Sequence, residues 1–317
     1  MSLSEFPASI IPSPEVSHAL KAAAPVVALE STVITHGLPY PENLQLAQDM
    51  ETEVRRQGAI PATIAVLDGQ ARLGLDSAQL ERLARLSGAR KISARDFAPA
   101  VAQRASGGTT VAGTLLIARL AGMRVFATGG IGGVHRAQAA QQFDISADLP
   151  QLAVSPLVVV CAGAKAILDL PATLEMLETL SVPVIGYQTG EFPAFYSRSS
   201  GLPVSARAES PAEIAAMARA HWALRLESAL LVTNPPPPEA ALPHEAVDAA
   251  IEQALAEANA QAIRGQAVTP FLLARVSELT GRASLRANLA LLLNNARLAS
   301  QTACALAETG PLNGATQ

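Results

Sequence analysis

Val158-Val159-Val160-Cys161-Ala162-Gly163-Ala164-Lys165-Ala166-Ile167-Leu168-Asp169 is the stretch that decides the fold of this chain. Its β-branched run reads as a strand buried on both faces, followed by a turn of small residues and a helix start that holds Lys165. A helix is expected over residues 171–180. Strands of that kind belong to sheets covered by helices on both sides, and the same unit recurs outward in both directions. Upstream, residues 25–29 form a strand-type run, and 42–57 follow with Leu44, Leu46, Ala47, Met50 and Val54 at roughly helical spacing. An apolar helix at 110–120 leads into a strand at 124–127. Downstream, strands are expected at 182–187 and 229–232 with a helix at 212–226 between them. Asp68-Gly69-Gln70 joins runs at 62–67 and 71–75 as a hairpin turn, so the α/β fold is expected to have a mixed sheet. A helix over 77–86 follows, with Asp76 or Ser77 as its cap.

Asn234-Pro235-Pro236-Pro237-Pro238 interrupts the alternation, because consecutive prolines fit neither a helix interior nor the middle of a sheet. It reads as a stiff connector or as a loop rimming a site. Helices are expected after it at 244–263, 270–280 and 284–306. No flexible linker sets them apart, so they are expected to wrap the sheet. One catalytic domain is therefore expected over residues 19–310, between a frayed Ser/Pro-containing tail at 1–18 and a C-terminal tail at 311–317.

Half of the 317 residues are hydrophobic and 16% are charged, which excludes a disordered chain. A net charge of −4 gives no reason to expect a polyanion, so a nucleic-acid partner is disfavoured. The longest apolar runs fall short of the ~20 residues a membrane span needs, and no basic-then-apolar segment opens the chain. Cys161 and Cys304 match no metal spacing and read as reduced core residues, so a cytoplasmic location is the expectation. Of the 23 Lys and Arg residues only Lys21, Lys91 and Lys165 are lysine. A lysine kept among apolar neighbours in such an arginine-rich chain points to chemistry, since lysine can shed its proton and attack while arginine cannot. At Lys165 both burial and the positive end of a helix would work against a charged amine, the preparation a Schiff base requires.

Five further clusters could carry chemistry. Ala28-Leu29-Glu30-Ser31-Thr32-Val33-Ile34-Thr35-His36-Gly37 ends a strand in a carboxylate, where open α/β folds bind ligands. Glu30 stands there as a general acid or base, or as a loop cap. Lys91-Ile92-Ser93-Ala94-Arg95-Asp96 suits a phosphate or a solvated turn. Ser106-Gly107-Gly108-Thr109-Thr110 opens the apolar helix, and its glycines would let an anion approach free N–H groups, unless they make a plain turn. Thr128-Gly129-Gly130-Ile131-Gly132-Gly133-Val134-His135-Arg136 carries two Gly pairs and reads as a loop with unusual backbone angles. Beyond it, Asp144, Ser146 and Asp148 alternate and on an extended segment would offer oxygens to one side. So few ligands would leave water on the cation, as Mg²⁺ or Mn²⁺ does; two capping aspartates are the other reading. Asn288, Asn294 and Asn295 lie in an apolar helix and must satisfy their amides, most simply helix to helix.

Together these segments resemble the pseudouridine-5′-phosphate glycosidase family, which also includes indigoidine synthase A-type proteins. The resemblance is carried in fixed order by ALESTVITHGLPYPEN, KISARD, ASGGTTVAGT, FATGGIGGVHR, FDISADL, VVVCAGAKAILDLPATLE, GYQTGEFPAFYSRSSGLPV, NPPP and TPFLLARVSELTG, and runs from about Pro25 to the last helix. It implies a single-domain, three-layer α/β/α sandwich and a homotrimer. It implies that Glu30 is the proton donor and that Lys165 forms an imine with C1′ of ring-opened ribose. Asp144 would hold one Mn²⁺ per subunit, largely through water. Lys91, the backbone at Val111, Ser146, Ala147 and Asp148 would bind substrate, Asp148 on the uracil, while Thr128, His135 and Asn288 would support the pocket. The implied reaction is reversible cleavage of pseudouridine 5′-phosphate to uracil and ribose 5-phosphate, with no redox cofactor, whether classed as a lyase or a hydrolase. A C–C glycosidic bond has no heteroatom leaving group, so two carboxylates flanking it would not suffice. The alternatives are a class I aldolase-like lyase using Lys165 on another sugar phosphate, a homologue in indigoidine biosynthesis, and a non-enzymatic sugar-phosphate binder.

Overall fold

Apolar runs with no polar alternation form the central strands, as burial on both faces requires. The computed structural model describes residues 7–136, 144–263 and 268–308. The strands are β1 (Ile10–Pro12), β2 (Val26–Leu29), β3 (Ile60–Leu67), β4 (Gln70–Leu73), β5 (Arg90–Ile92), β6 (Gly107–Thr109), β7 (Val125–Ala127), β8 (Val134–His135), β9 (Val158–Cys161), β10 (Leu168–Asp169), β11 (Val184–Tyr187), β12 (Ala206–Ala208) and β13 (Leu230–Thr233). The main sheet runs β1-β4-β3-β2-β7-β9-β13-β11-β12, with β6 attached to β3 and β5 to β6, while β8 and β10 pair separately. Its pairings are parallel except where β3 meets β4 and β6, so the sheet is mixed as expected. The antiparallel β3–β4 hairpin turns on Asp68 and Gly69, both at positive φ (51° and 79°), the geometry of the Asp-Gly hairpin signal.

The helices are α1 (Pro14–Lys21), α2 (Glu42–Arg56), α3 (Ser77–Ala84), α4 (Phe97–Ala102), α5 (Val111–Leu120), α6 (Asp148–Leu152), α7 (Leu170–Thr179), α8 (Pro211–Ala223), α9 (His244–Ala260), α10 (Val268–Leu279) and α11 (Ala283–Glu308). They flank the sheet on both sides and make one three-layer α/β/α domain. The apolar face of α11 lies across β2, β7 and β9 and against α2 and α8, while α5 packs on β2 and β3 and against α6. Start signals in the sequence are used directly: Asp76 closes a capping box on α3, Thr110 accepts from Gly113 N at 3.2 Å, and Asp169 accepts from Ala172 N at 3.0 Å.

The N-terminal reading needs correction. Residues 10–12 pair in parallel with β4, Ser13 caps α1, and Ile10 and Val16 are buried. A frayed tail to residue 18 overlooked that β4 would otherwise be a bare edge, which an apolar strand covers. Residues 1–6 and the expected tail at 311–317 lie outside the described residues. The proline run joins β13 to α9 as a connector does, and it does not line the main cavity. Pro235 and Pro236 are buried, and their carbonyls accept from Asn294 Nδ2 (3.3 Å) and an Arg198 guanidinium N–H (2.6 Å). No described helix is long and apolar enough to cross a membrane.

Strand order places the site. From β2 the chain moves to β3 on one side, and later returns to lay β7 and then β9 on the other. Connections therefore leave the carboxyl ends of β2 and β7 in opposite directions, and the crevice between such strands is where open α/β sheets bind ligands. Glu30 follows β2, Thr128 follows β7, and Lys165 follows β9 by four residues.

Candidate active site

The loops beyond β2, β7 and β9 open into a cavity of about 1030 Å³. Glu30, Lys91, Val111, His135, Asp144, Ser146, Ala147, Asp148, Lys165 and Asn288 all line it. Residues separated by up to 258 positions in sequence (288 − 30) thus share one space. Thr128 does not line it: it is fully buried behind Glu30 and donates its hydroxyl hydrogen bond to Glu30 Oε1. It acts on substrate only through that carboxylate.

Burial pushes the Glu30 carboxyl above its usual 4.5, and nearby Asp148 pushes the same way. Lys165, the Thr128 hydroxyl and Lys91 oppose this without overcoming it. A carboxyl whose burial favours the neutral acid, beside two amines, is placed to donate a proton. Burial and the charge of Lys165 lower the Lys91 ammonium below 10.5, against the pull of Asp148 and Glu30. His36 also lines the cavity; burial and Lys91 lower it, and its Nδ1 is 2.7 Å from Thr35 Oγ1.

Lys165 is not at a helix start. Helix α7 begins at Leu170, and Lys165 sits in the preceding loop, with its N–H on Ile131 O at 3.1 Å and its carbonyl accepting from Leu168 N at 3.0 Å. The expected helix dipole therefore does not act on it. The sharp exit from β9 falls at Gly163 (φ 89°), where a Cβ would lie 2.5 Å from Pro193 O.

The glycines of residues 129–133 answer a different need from the one expected. None has a positive φ; they are glycine because neighbours press on them. A Cβ on Gly130 would meet the Phe195 ring at 2.5 Å, and one on Gly132 or Gly133 would collide with Ser146 or Thr173. Gly107 and Gly108 likewise belong to strand β6, where a Cβ would run into Arg90 O and into Ser31 and Thr35. These glycines make room for neighbouring side chains and backbone, and Gly129, Gly130 and Gly132 line the cavity as well.

Asp144, Ser146 and Asp148 do not form one array of oxygens. The extended run ends near Ile145, which bridges Val134, and Asp148 is the first residue of α6. Its two carboxylate oxygens accept from Ala112 N (2.9 Å) and Gly132 N (2.8 Å), tying the start of α5 to the glycine loop. Asp148 therefore does the capping work, with lone pairs left for a ligand. At the first turn of α5, Asp148 takes the Ala112 N–H, and the Thr110 hydroxyl and carbonyl take those of Gly113 and Thr114. The Val111 N–H has no partner among these groups. Asp144 stays on the rim, its side chain 55% exposed and its Oδ2 3.9 Å from His135 Nδ1. Among the described residues no group of three or more His, Cys, Asp and Glu converges. One exposed carboxylate fits a largely hydrated Mg²⁺ or Mn²⁺, and does not fit a closed zinc or calcium site.

The asparagine whose importance was not legible is Asn295. Fully buried, it donates to Thr128 O (2.9 Å) and Gly129 O (3.4 Å) and accepts from Asn234 Nδ2 (3.2 Å). It anchors the loop behind Glu30 to α11, whereas helix-to-helix bonding was the plain expectation. Phe195, Tyr196, Leu273, Leu285 and Leu292 add apolar surface to the lining, beside polar Ser277, Glu278, Arg282 and Ser284.

Known proteins resemble this chain over nearly its whole length. The family described as indigoidine synthase A like protein matches residues 15–305. The pseudouridine-5′-phosphate glycosidase of Paracoccus denitrificans is 56% identical over 304 residues, 95% of this chain and all of that protein. The protein of that name in Escherichia coli K12 is 53% identical, covering 92% of this chain and 93% of its own. The crystal structure of the prealnumycin C-glycosynthase AlnA in complex with ribulose 5-phosphate superposes with a TM-score of 0.88 at 40% identity, covering 96% of this chain and 98% of that one. The indigoidine synthase A-like protein of Thermotoga maritima gives 0.85 at 38% identity, over 94% and 96%. With matches spanning nearly its whole length, the chain belongs to the family of indigoidine synthase A like proteins.

Proposed function

We propose that this protein is a pseudouridine-5′-phosphate glycosidase that cleaves the C–C bond between uracil and ribose through a lysine imine. The observation that carries the reading is the placement of Glu30, held above its usual pKa by burial, and Lys165 in one cavity, beyond the ends of the parallel strands β2 and β9 on either side of β7. The names of the close relatives and the sugar phosphate bound by AlnA support the substrate class. In this reading Glu30 gives its proton to the ring oxygen as the C1′–O4′ bond opens, and the Lys165 amine bonds to C1′. The newly bonded nitrogen returns a proton to the Glu30 carboxylate, Glu30 passes it to uracil C5 as the C1′–C5 bond breaks, and the nitrogen lone pair forms the C1′=N imine. Water hydrolyses the imine to ribose 5-phosphate and frees the amine. The bond-breaking step is thus of lyase type, and water enters only afterwards. Lys91 and the Val111 N–H at the start of α5 suit the 5′-phosphate, and the Asp148 and Asn288 side chains suit the polar edge of uracil.

From the family resemblance we carry over one Mn²⁺ per subunit at Asp144, a homotrimeric assembly and a cytoplasmic location. The cation would supply charge to the substrate through its bound waters, oriented by Asp144. Uracil release from pseudouridine 5′-phosphate tests the activity, with other aldehyde phosphates as competitors for the role. Turnover of those phosphates without uracil release would favour an aldolase-like lyase instead. Exhaustive chelation should abolish release and added Mn²⁺ restore it; unchanged activity would remove the metal from the account.

A further inference from the structure

Arg136, at the end of the second glycine cluster, has no part in the reaction described above. Its guanidinium donates from Nε to Leu168 O and from Nη2 to Ala166 O, both at 3.2 Å. Nη2 also reaches Asp248 Oδ1 on α9 at 3.2 Å, and His244 Nε2 lies 3.1 Å from the other Asp248 oxygen. Both carbonyls belong to the segment that carries the nucleophile. That segment is otherwise held from the front: Lys165 N on Ile131 O, Ala164 bridging Ile131, and β10 paired with β8. Between these two anchorages, Lys165 and β10, the Ala166 carbonyl would be free to turn, and Leu168 at the edge of β10 would be held by strand pairing and its turn to Lys165 O alone.

We propose that Arg136 is a positioning residue that fixes the Lys165 loop by clamping its two carbonyls, with Asp248 holding the guanidinium in place. A planar fork fits two carbonyls two residues apart; an ammonium on a flexible stem does not. The inference rests on Lys165 as the nucleophile, and its mode of action is geometric, since a misplacement of about 1 Å can cost ~10²-fold in rate.

The test uses the full chain with Arg136→Gln, Arg136→Lys and Asp248→Asn. Amide hydrogen exchange without substrate should quicken at Lys165 and Leu168 in both Arg136 variants, with melting temperature little changed. Their kcat should fall ~10²-fold with KM moved far less, and borohydride trapping of ribose 5-phosphate on Lys165 should slow in step. Arg136→Lys should fail to rescue. Arg136 lines an open cavity of about 300 Å³ with His244 and Asp248, so guanidinium ion added at millimolar levels can enter and should restore part of the rate to Arg136→Gln, while ammonium should not. Should the Arg136 variants fail to fold, Asp248→Asn carries the test through faster exchange at Lys165 and Leu168 and a smaller fall in kcat. Wild-type exchange and trapping rates in folded variants would overturn the clamp. Absence of trapping in the wild type would instead overturn the proposed function, and exchange would still judge the clamp.

Discussion

Glu30 Oε1 accepts from the Thr128 hydroxyl in a pocket whose burial favours the neutral acid, so hydrogen bond and desolvation pull its pKa in opposite directions. Removing the hydroxyl should let burial win further: in Thr128→Val the alkaline limb of kcat/KM should move to higher pH, and a limb that stays or moves down would contradict the assignment. Glu30→Gln should lose ~10²–10⁴-fold in kcat. The same substitution has a sign-definite effect on stability. Because the folded pKa is raised, the protein holds that proton more tightly than the unfolded chain does. This stabilisation is complete below pH 4.5 and is lost as pH rises through the raised pKa. Relative to Glu30→Gln, the wild type should therefore lose stability across that window, as read by denaturant titrations at several pH values. The individual groups were legible in sequence where residue type restricts chemistry: a lysine among small residues, a carboxylate ending a strand. Thr128 was legible only as part of a motif. Nothing in its own neighbours says that it stands behind Glu30 rather than in the cavity.

Among the elements, strands and helices were readable because burial on both faces leaves unbroken apolar runs, and one-sided burial leaves a helical period. Residues 158–161 and the Asp68-Gly69 hairpin are as expected. The loops were not readable in the same way. The glycines of residues 129–133 signalled a special backbone, but contacts with Phe195, Ser146 and Thr173 decide why, and those come from chain segments far away. β1 and α1 were missed for a related reason: an edge strand is defined by its partner, here β4. Asn295 makes the point energetically. Asn295→Leu would strand the Thr128 carbonyl and the Asn234 amide, at about 1–3 kcal/mol for each group left unpaired. It should lower the melting temperature and, by freeing the loop behind Glu30, reduce kcat as well. A variant of full stability would show that water or relaxation satisfies these groups.

At the scale of the molecule, a single topological feature gathers the site. The reversal of direction between β2 and β7 opens a crevice into which β2, β7 and β9 each deliver one loop, and α5, α6 and α11 close its sides. An α/β sheet was legible from the alternation of strand and helix, but strand order was not, because parallel strands carry no local mark of their neighbours. The spatial union of Glu30, Lys91, Asp148 and Lys165 therefore had to come from resemblance to a family, and the cavity now supplies it from geometry. The central claim is that the Lys165 amine bonds covalently to C1′ of the sugar. Borohydride reduction of the enzyme with ribose 5-phosphate, read by intact-mass and peptide spectrometry, tests it most directly. The account predicts one reduced sugar-phosphate adduct per chain, mapped to Lys165 and absent from Lys165→Ala, which should also lose at least ~10³-fold in activity. Wild-type enzyme that releases uracil yet gives no adduct, or gives it on another residue, would contradict it.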